Sequence, residues 1–210
     1  MKAYLDIHYG IDALQHLMLA DKALSPYIEK YGRVNAKRDP DVFSVLVWAI
    51  VSDGLSIGNA SAIEQRMTAK YGGLTVSDLI KADVDSMREL GLSLTKAETI
   101  AAIVRDVVSG RLDLVDTYHY DDEGYVGFFS SIKGVSHGAA ETVAIFSEGR
   151  LDVFMFGDAA YQRAVMQVHG YTSYSKERHE RLRRLYSPYG TVASLYYLAI
   201  ADELARGVER

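Results

Sequence analysis

The sequence predicts an all-α fold, and three of its features carry that prediction. Apolar residues recur at the three-and-four spacing of a helix face in one segment after another. Ser, Thr and Asp stand at the starts of those segments and Gly at their ends, as caps and stops. Alternating runs of the kind a half-buried strand needs never extend beyond a few residues. The expected architecture is two helical lobes with a cleft between them.

The elements follow in order. Asp39-Pro40-Asp41 reads as a helix start: Asp39 caps, Pro40 takes the first turn, and a second acid suits the positive helix end. Phe43, Leu46, Val47, Ile50 and Val51 then mark an apolar face. Ser56 caps a helix carrying Ala60, Ile63 and Met67, which stops at Gly72-Gly73. Thr75-Val76-Ser77-Asp78 resembles a capping box. A short helix over 83–90 ends at Gly91. Ser93 opens a longer one with Ala97, Ile100, Ala101, Val104 and Val108 on its buried side, closed by Gly110. Asp121 or Asp122 caps the next, ahead of Tyr125, Phe128, Phe129 and Ile132. A tight connection, 133–138, leads into a helix over 139–146. Residues 149–157 read as extended and irregular, and helices over about 158–169, 176–186 and 191–205 complete the chain.

Composition excludes several classes of protein. With 210 residues, 49% of them hydrophobic, the chain can build a substantial core. It has no cysteine, which rules out disulfides, thiolate nucleophiles, iron–sulfur clusters and Cys-ligated zinc. The first residues lack the apolar core of a signal peptide, and no run approaches the roughly 18 apolar residues of a membrane span. These features predict an intracellular, cytoplasmic protein. Net charge is −5, which by itself argues mildly against nucleic acid as a partner. Residues 176–184 depart from that balance, with Lys176, Arg178, Arg181, Arg183 and Arg184 against Glu177 and Glu180. Taken alone, this run reads as a solvated helix face, with a DNA contact as the alternative.

Two constellations bear on chemistry. In 132–144, two helices flank a turn rich in Gly and Ser, which leaves backbone N–H groups unpaired at the second helix's start and lets a phosphate approach closely. In 151–158, Leu-Asp-Val-Phe-Met-Phe-Gly-Asp, an apolar extended stretch delivers Asp158 to a helix N-terminus. Each has a plain structural explanation, a Gly-capped connection and an N-cap.

Their order along the chain resembles the helix-hairpin-helix DNA glycosylase superfamily, most closely its 3-methyladenine DNA glycosylase II branch. Ile132-Lys133-Gly134-Val135-Ser136-His137-Gly138-Ala139-Ala140-Glu141 stands where that branch has Leu-Pro-Gly-Ile-Gly-x-x-Thr-Ala-Glu. Residues 152–158 match the Asp-Val-Phe-x-x-x-Asp that carries the family's catalytic aspartate. Residues 91–97, 109–114 and 186–190 resemble its Gly-Leu-Ser-x-x-Lys-Ala, Ser-Gly-x-Leu-Asp-Leu and Trp-x-Pro-Tyr-Arg segments. The resemblance runs from about 41 to 198 and implies one helix-hairpin-helix domain over 1–210. Within it fall a central helical lobe at about 41–130, the hairpin and aspartate region at about 131–170, and C-terminal helices at about 175–206.

It also implies the activity. The partner is damaged double-stranded DNA, with no membrane and no obligate protein partner evident, which in a bacterium or archaeon places the protein at the nucleoid. A damaged nucleotide is flipped out of the duplex, and Asp158 stabilises positive charge on the sugar as the N-glycosidic bond breaks. No metal and no cofactor is required. Family members that also cut the backbone use a hairpin Lys; Gly138 occupies that position, so a monofunctional hydrolase in base-excision repair is expected. Its substrates would be alkylated purines, which leave without a general acid and stack on aromatic rings.

The DNA-contacting residues implied are Gly134, Ser136, His137 and Gly138. The family's gap-filling Gln-rich segment reads Ser52-Asp53-Gly54-Leu55-Ser56 here, which makes Leu55 the candidate wedge; Trp48 and Tyr161 are candidates for the base pocket. Ser136, Gly138 and Gly190 replace the family's second hairpin Gly, an aromatic and a late Arg. A catalytically idle DNA-binding relative and a helical interaction protein without a DNA role are the competing expectations.

Overall fold

The computed structural model describes residues 4–117 and 119–208. They form an all-α fold of twelve helices and one two-residue strand pair among the described residues. The chain divides into two compact units. One is 39–148 together with Tyr4; the other combines 5–38 with everything from 149 onward.

The first unit is built around α3 (Val42–Ser52). Its cap is Asp41, whose carboxylate accepts from the Ser44 N–H, two residues later than Asp39, the cap expected from sequence. Asp39 instead accepts from the Asp41 N–H at 3.0 Å, leaving Pro40 ahead of the helix. Both acids can cap, and the frame that buries eight of the eleven α3 residues decides between them. Helices α4 (Ile57–Tyr71), α5 (Val76–Leu79), α6 (Val84–Glu89) and α7 (Leu94–Val108) follow, capped by Ser56, Thr75, Asp83 and Ser93. Thr75 and Asp78 form the expected capping box. Helices α8 (Asp122–Ser131) and α9 (His137–Val143) make the hairpin. Both α9 and the π-helical turn that continues it, Ala144–Glu148, pack on α3.

The second unit opens with a part of the chain to which the sequence assigned no elements. Strand β1 (Leu5–Asp6) pairs antiparallel with β2 (Lys37–Arg38), and between them lie α1 (Ile11–Ala20) and α2 (Ser25–Tyr31). An extended stretch over 151–157 leads to α10 (Ala159–His169), α11 (Lys176–Tyr186) and α12 (Gly190–Val208). α10 packs along α12, and α1 lies against α11 and α12. Tyr161, Tyr186, Tyr196 and Tyr197 are fully buried there, so much of this unit's core is phenolic and its hydroxyls need partners.

The extended stretch has no neighbouring strand among the described residues. Its backbone is satisfied by hydroxyls of α12 instead. The Val153 N–H donates to Thr191 Oγ1 (3.1 Å) and the Met155 N–H to Ser194 Oγ (2.9 Å). Thr191 in turn donates to the Arg150 carbonyl (2.6 Å). Buried backbone donors left unpaired are costly, and this side-chain ladder lets a strand-like segment exist outside a sheet.

Candidate active site and nucleic-acid interface

In the second unit, Asp158 is set by what surrounds it. Asp152 starts the arrangement: it accepts from Ser187 Oγ (2.6 Å) and the Gly190 N–H (3.2 Å), tying the stretch to the start of α12. A Cβ on Gly190 would lie 3.0 Å from the Phe154 nitrogen, so this residue allows α12 to begin directly on the stretch. Phe154 is buried against Tyr161, Tyr186 and Tyr197, with the His179 ring stacked on it at 5.2 Å. Gly157 then turns the chain with φ +68°, and a Cβ there would fall 2.4 Å from the Tyr161 ring.

Asp158 follows as the N-cap of α10. Its Oδ1 accepts from the Ala160 and Tyr161 N–H groups, both at 2.9 Å. Its Oδ2 makes no hydrogen bond among the described residues, and the residue is exposed. One oxygen therefore fixes the orientation of the carboxylate while the other is available. Tyr161, a sequence candidate for the base pocket, is 1% exposed. The structure gives it a packing role, with its hydroxyl donating to Ser194 at 3.3 Å.

The hairpin lies in the first unit. Gly134 has φ +89°, and a Cβ would sit 2.1 Å from Thr99 Oγ1 of α7; a left-handed backbone and a close approach both require glycine here. Ser136 has the ordinary extended values φ −75°, ψ 160°, and its Oγ caps α9 by accepting from the Ala139 N–H. Serine in place of the second hairpin Gly therefore introduces no backbone strain. The Gly138 N–H lies ahead of the first intrahelical bond, Ala140 N–H to Ser136 O, and nothing lies within 4 Å of where its Cβ would be. His137 is exposed, with Nε2 3.4 Å from Glu141 Oε1 and Nδ1 3.4 Å from Ser130 Oγ. Glu141, 3% exposed, was not singled out from sequence, although its four-residue spacing from His137 was readable.

The other candidates of the first unit are dispersed. Trp48 is the half-buried residue in the otherwise buried stretch Phe43–Val51 of α3. Leu55 is half-buried, whereas Ile57, at the first turn of α4, is 77% exposed. Lys96 holds this loop: its Nζ donates to the Val51 and Asp53 carbonyls at 2.9 and 2.6 Å. It thus satisfies the carbonyl end of α3, as a cation does at a helix C-terminus. Burial pulls the Lys96 ammonium below its ordinary value, against the Asp53 carboxylate, which raises it.

Residues 47–188 match the HhH-GPD superfamily of base excision DNA repair proteins. The chain belongs to that superfamily. It is 24% identical to the alkylbase DNA glycosidase-like protein mag2 of Schizosaccharomyces pombe over 88% of this chain and 90% of that protein. It also resembles the crystal structure of DNA-3-methyladenine glycosidase from Bacillus halodurans, with TM-score 0.73 and 29% identity, over 97% of this chain and 94% of that one. The S. pombe 3-methyladenine DNA glycosylase Mag1, solved in complex with abasic DNA, shares the fold at TM-score 0.79 and 22% identity, over 89% and 94% of the two chains. The matched region of the superfamily takes in both the hairpin and Asp158. Among the described residues no group of His, Asp and Glu is arranged to hold a metal ion, and no helix is long and apolar enough to cross a membrane.

Proposed function

We propose that this HhH-GPD protein is a monofunctional DNA glycosylase that hydrolyses the N-glycosidic bond of damaged bases, alkylated purines foremost, with Asp158 as its catalytic carboxylate. The observation that carries the proposal is the geometry of that residue. Two backbone N–H groups hold one oxygen, and the other has no competing partner among the described residues. A carboxylate fixed in this way stabilises a developing positive sugar at no reorganisation cost and can orient the attacking water. The relatives named as alkylbase and 3-methyladenine enzymes support this substrate class. Gly138, where lyase members of the family carry Lys, supports water as the nucleophile and an abasic site as the product.

In this reading Gly134, Ser136, His137 and Gly138 position a backbone phosphate, and Trp48 is the base-stacking candidate. Ile57, the more exposed aliphatic side chain, takes the gap-filling role that sequence alone gave to Leu55.

The test uses duplexes each carrying one lesion (a 3-methyladenine analogue, hypoxanthine, 1,N6-ethenoadenine or uracil), incubated with protein and then heated in alkali. Cleavage after alkali on an alkylated or deaminated purine is expected, and none before alkali. Asp158→Asn, which can still cap α10, should lose at least about a hundredfold in excision rate, the scale of one such electrostatic group, while retaining duplex affinity. Nicking without alkali, or a borohydride-trapped adduct, would refute the monofunctional claim. No excision of any lesion, with duplex binding intact, would favour the second reading, an idle DNA-binding relative in which Asp158 serves only as the α10 cap that Ala160 and Tyr161 record.

A further inference from the structure

Helix α11 carries Lys176 and four arginines, and the structure sorts the arginines into two kinds. Arg183 and Arg184 are both ion-paired to the one carboxylate of Glu180, with contacts of 2.8 and 2.9 Å to the first and 2.8 Å to the second. Together they hold the Glu180 carboxyl down at about 2. Arg178 and Arg181 have no such partner. Their guanidinium carbons lie 4.7 and 5.8 Å from the centre of the same ring, Tyr171. Their hydrogen bonds go to neutral acceptors: Arg178 donates to the Ser173 carbonyl and, at 3.1 Å, to Ser173 Oγ, and Arg181 donates to the Tyr171 hydroxyl. Neither has a carboxylate within ion-pairing distance among the described residues.

Two like charges gathered on one ring repel each other, and in a chain of net charge −5 acids to neutralise them are plentiful. Here they are pre-organised and uncompensated, which suits an external anion. The patch is also anchored to the Asp158 connection within the same unit. Phe156, two residues before Asp158, stacks on Tyr174 at 5.4 Å and meets the His179 ring at 5.2 Å, and the Tyr174 hydroxyl bonds His179 Nδ1 at 2.9 Å. This cluster joins the first turn of α11 to the stretch that delivers the carboxylate.

We infer that Arg178 and Arg181, braced on Tyr171, form a phosphodiester-binding surface for the DNA on which Asp158 acts, separate from the hairpin. The inference rests on the glycosylase reading only in requiring that the chain bind DNA. The partner it fits is a polyanionic backbone, read by charge and without sequence preference.

The experiment measures duplex affinity of the full chain by fluorescence anisotropy between 50 and 200 mM salt (order-of-magnitude conditions set by counterion release), in the Asp158→Asn background so that nothing is turned over. Arg178→Gln with Arg181→Gln is expected to weaken binding about tenfold and to flatten the slope of log affinity against log salt by about 1 to 2, near 0.9 per phosphate contact. Arg178→Lys with Arg181→Lys should restore most of the slope. Arg183→Gln with Arg184→Gln removes the same formal charge from the same helix, yet should change the slope far less, because Glu180 already occupies those groups. An unchanged slope in the first variant, with an unaltered circular-dichroism melt, overturns the inference. So do equal effects of the two glutamine pairs, or loss of polyglutamate binding with DNA binding intact, which would assign the surface to an acidic protein. Excision assays on the same variants in the Asp158 background separate the two readings. Excision with an unchanged slope refutes only the arginine surface; a flattened slope without excision refutes only the enzyme.

Discussion

Gly157 holds Asp158 in place by having no side chain. Its positive φ and the Tyr161 ring lying where a Cβ would be are two independent requirements for glycine, and the cap geometry of Asp158 depends on both. Gly157→Ala is therefore expected to cost roughly 2–4 kcal/mol, from left-handed backbone strain and from overpacking against a buried ring. It should also reduce excision beyond the loss of folded protein, because the α10 cap must shift. Chemical denaturation and single-turnover excision on the same preparation check this. Stability within about 0.5 kcal/mol of the parent, the scale of a neutral surface change, would show that the turn relaxes freely. The contrast with Ser136 is instructive. There the family's glycine is replaced, the backbone sits at φ −75°, and no such cost arises.

At the level of elements, the stretch over 151–157 is a strand-like segment with no strand beside it among the described residues, and α12 makes it possible. Thr191 offers its hydroxyl to the Val153 N–H and donates to the Arg150 carbonyl. Thr191→Val keeps the shape and removes both bonds, leaving a buried N–H unpaired at a cost of about 1–3 kcal/mol. A fall in urea midpoint of that size is expected, with excision declining further than duplex affinity as the stretch loosens beneath Asp158; an unchanged midpoint would mean that another acceptor replaces the hydroxyl. Local chemistry explains why some elements were readable in sequence and others were not. Caps such as Ser56, Ser93 and Asp158 announce themselves through residue type at a helix start, and α11 begins and ends where its pattern implies. The Asp41 start was missed by two residues because two acids flank Pro40 and only tertiary burial chooses. Thr191 and Ser194 gave no signal, since a hydroxyl at three-residue spacing on an apolar helix reveals nothing about a partner distant in sequence. α1 and α2 lie outside the family motifs, and neither has a side-chain cap. Asp158 itself was legible only through the ordered motifs around it; its residue type and position fit a cap equally well.

For the molecule as a whole, stability should respond to mild acid through one buried cluster. Asp21, the cap residue after α1, His169 at the end of α10, Tyr186 at the end of α11 and Tyr197 of α12 converge in the second unit. His169 Nε2 lies 2.8 Å from the Tyr197 hydroxyl and 3.5 Å from Asp21 Oδ2; the Tyr186 hydroxyl lies 2.6 Å from that of Tyr197 and donates to Asp21. The Tyr171 ring stacks on His169. Burial pushes the His169 imidazole below its ordinary 6.5, the Asp21 charge opposes that shift, and Arg181 reinforces it. A histidine depressed in the folded state stays neutral there while its unfolded counterpart takes up a proton, so the unfolded chain binds more protons as pH falls through 6.5. The stabilisation is therefore fully present above pH 6.5 and is lost as pH drops from there toward the folded value, with a slope of at most about 1.4 kcal/mol per pH unit. The depressed carboxylates act in a separate window: Glu180, lowered from 4.5 to about 2 by Arg183 and Arg184, gives stability that is present above 4.5 and lost on the way to 2. Urea titrations between pH 7.5 and 5.5 (a window set by the ordinary histidine range) should thus show the parent losing stability while His169→Gln, which retains a side-chain amide toward Tyr197 and Asp21, stays nearly flat across the same range. If the variant keeps the parent's slope, the proton enters elsewhere, and the cluster joining α1, α10, α11 and α12 is held by its tyrosines and Asp21 without regard to the charge on His169.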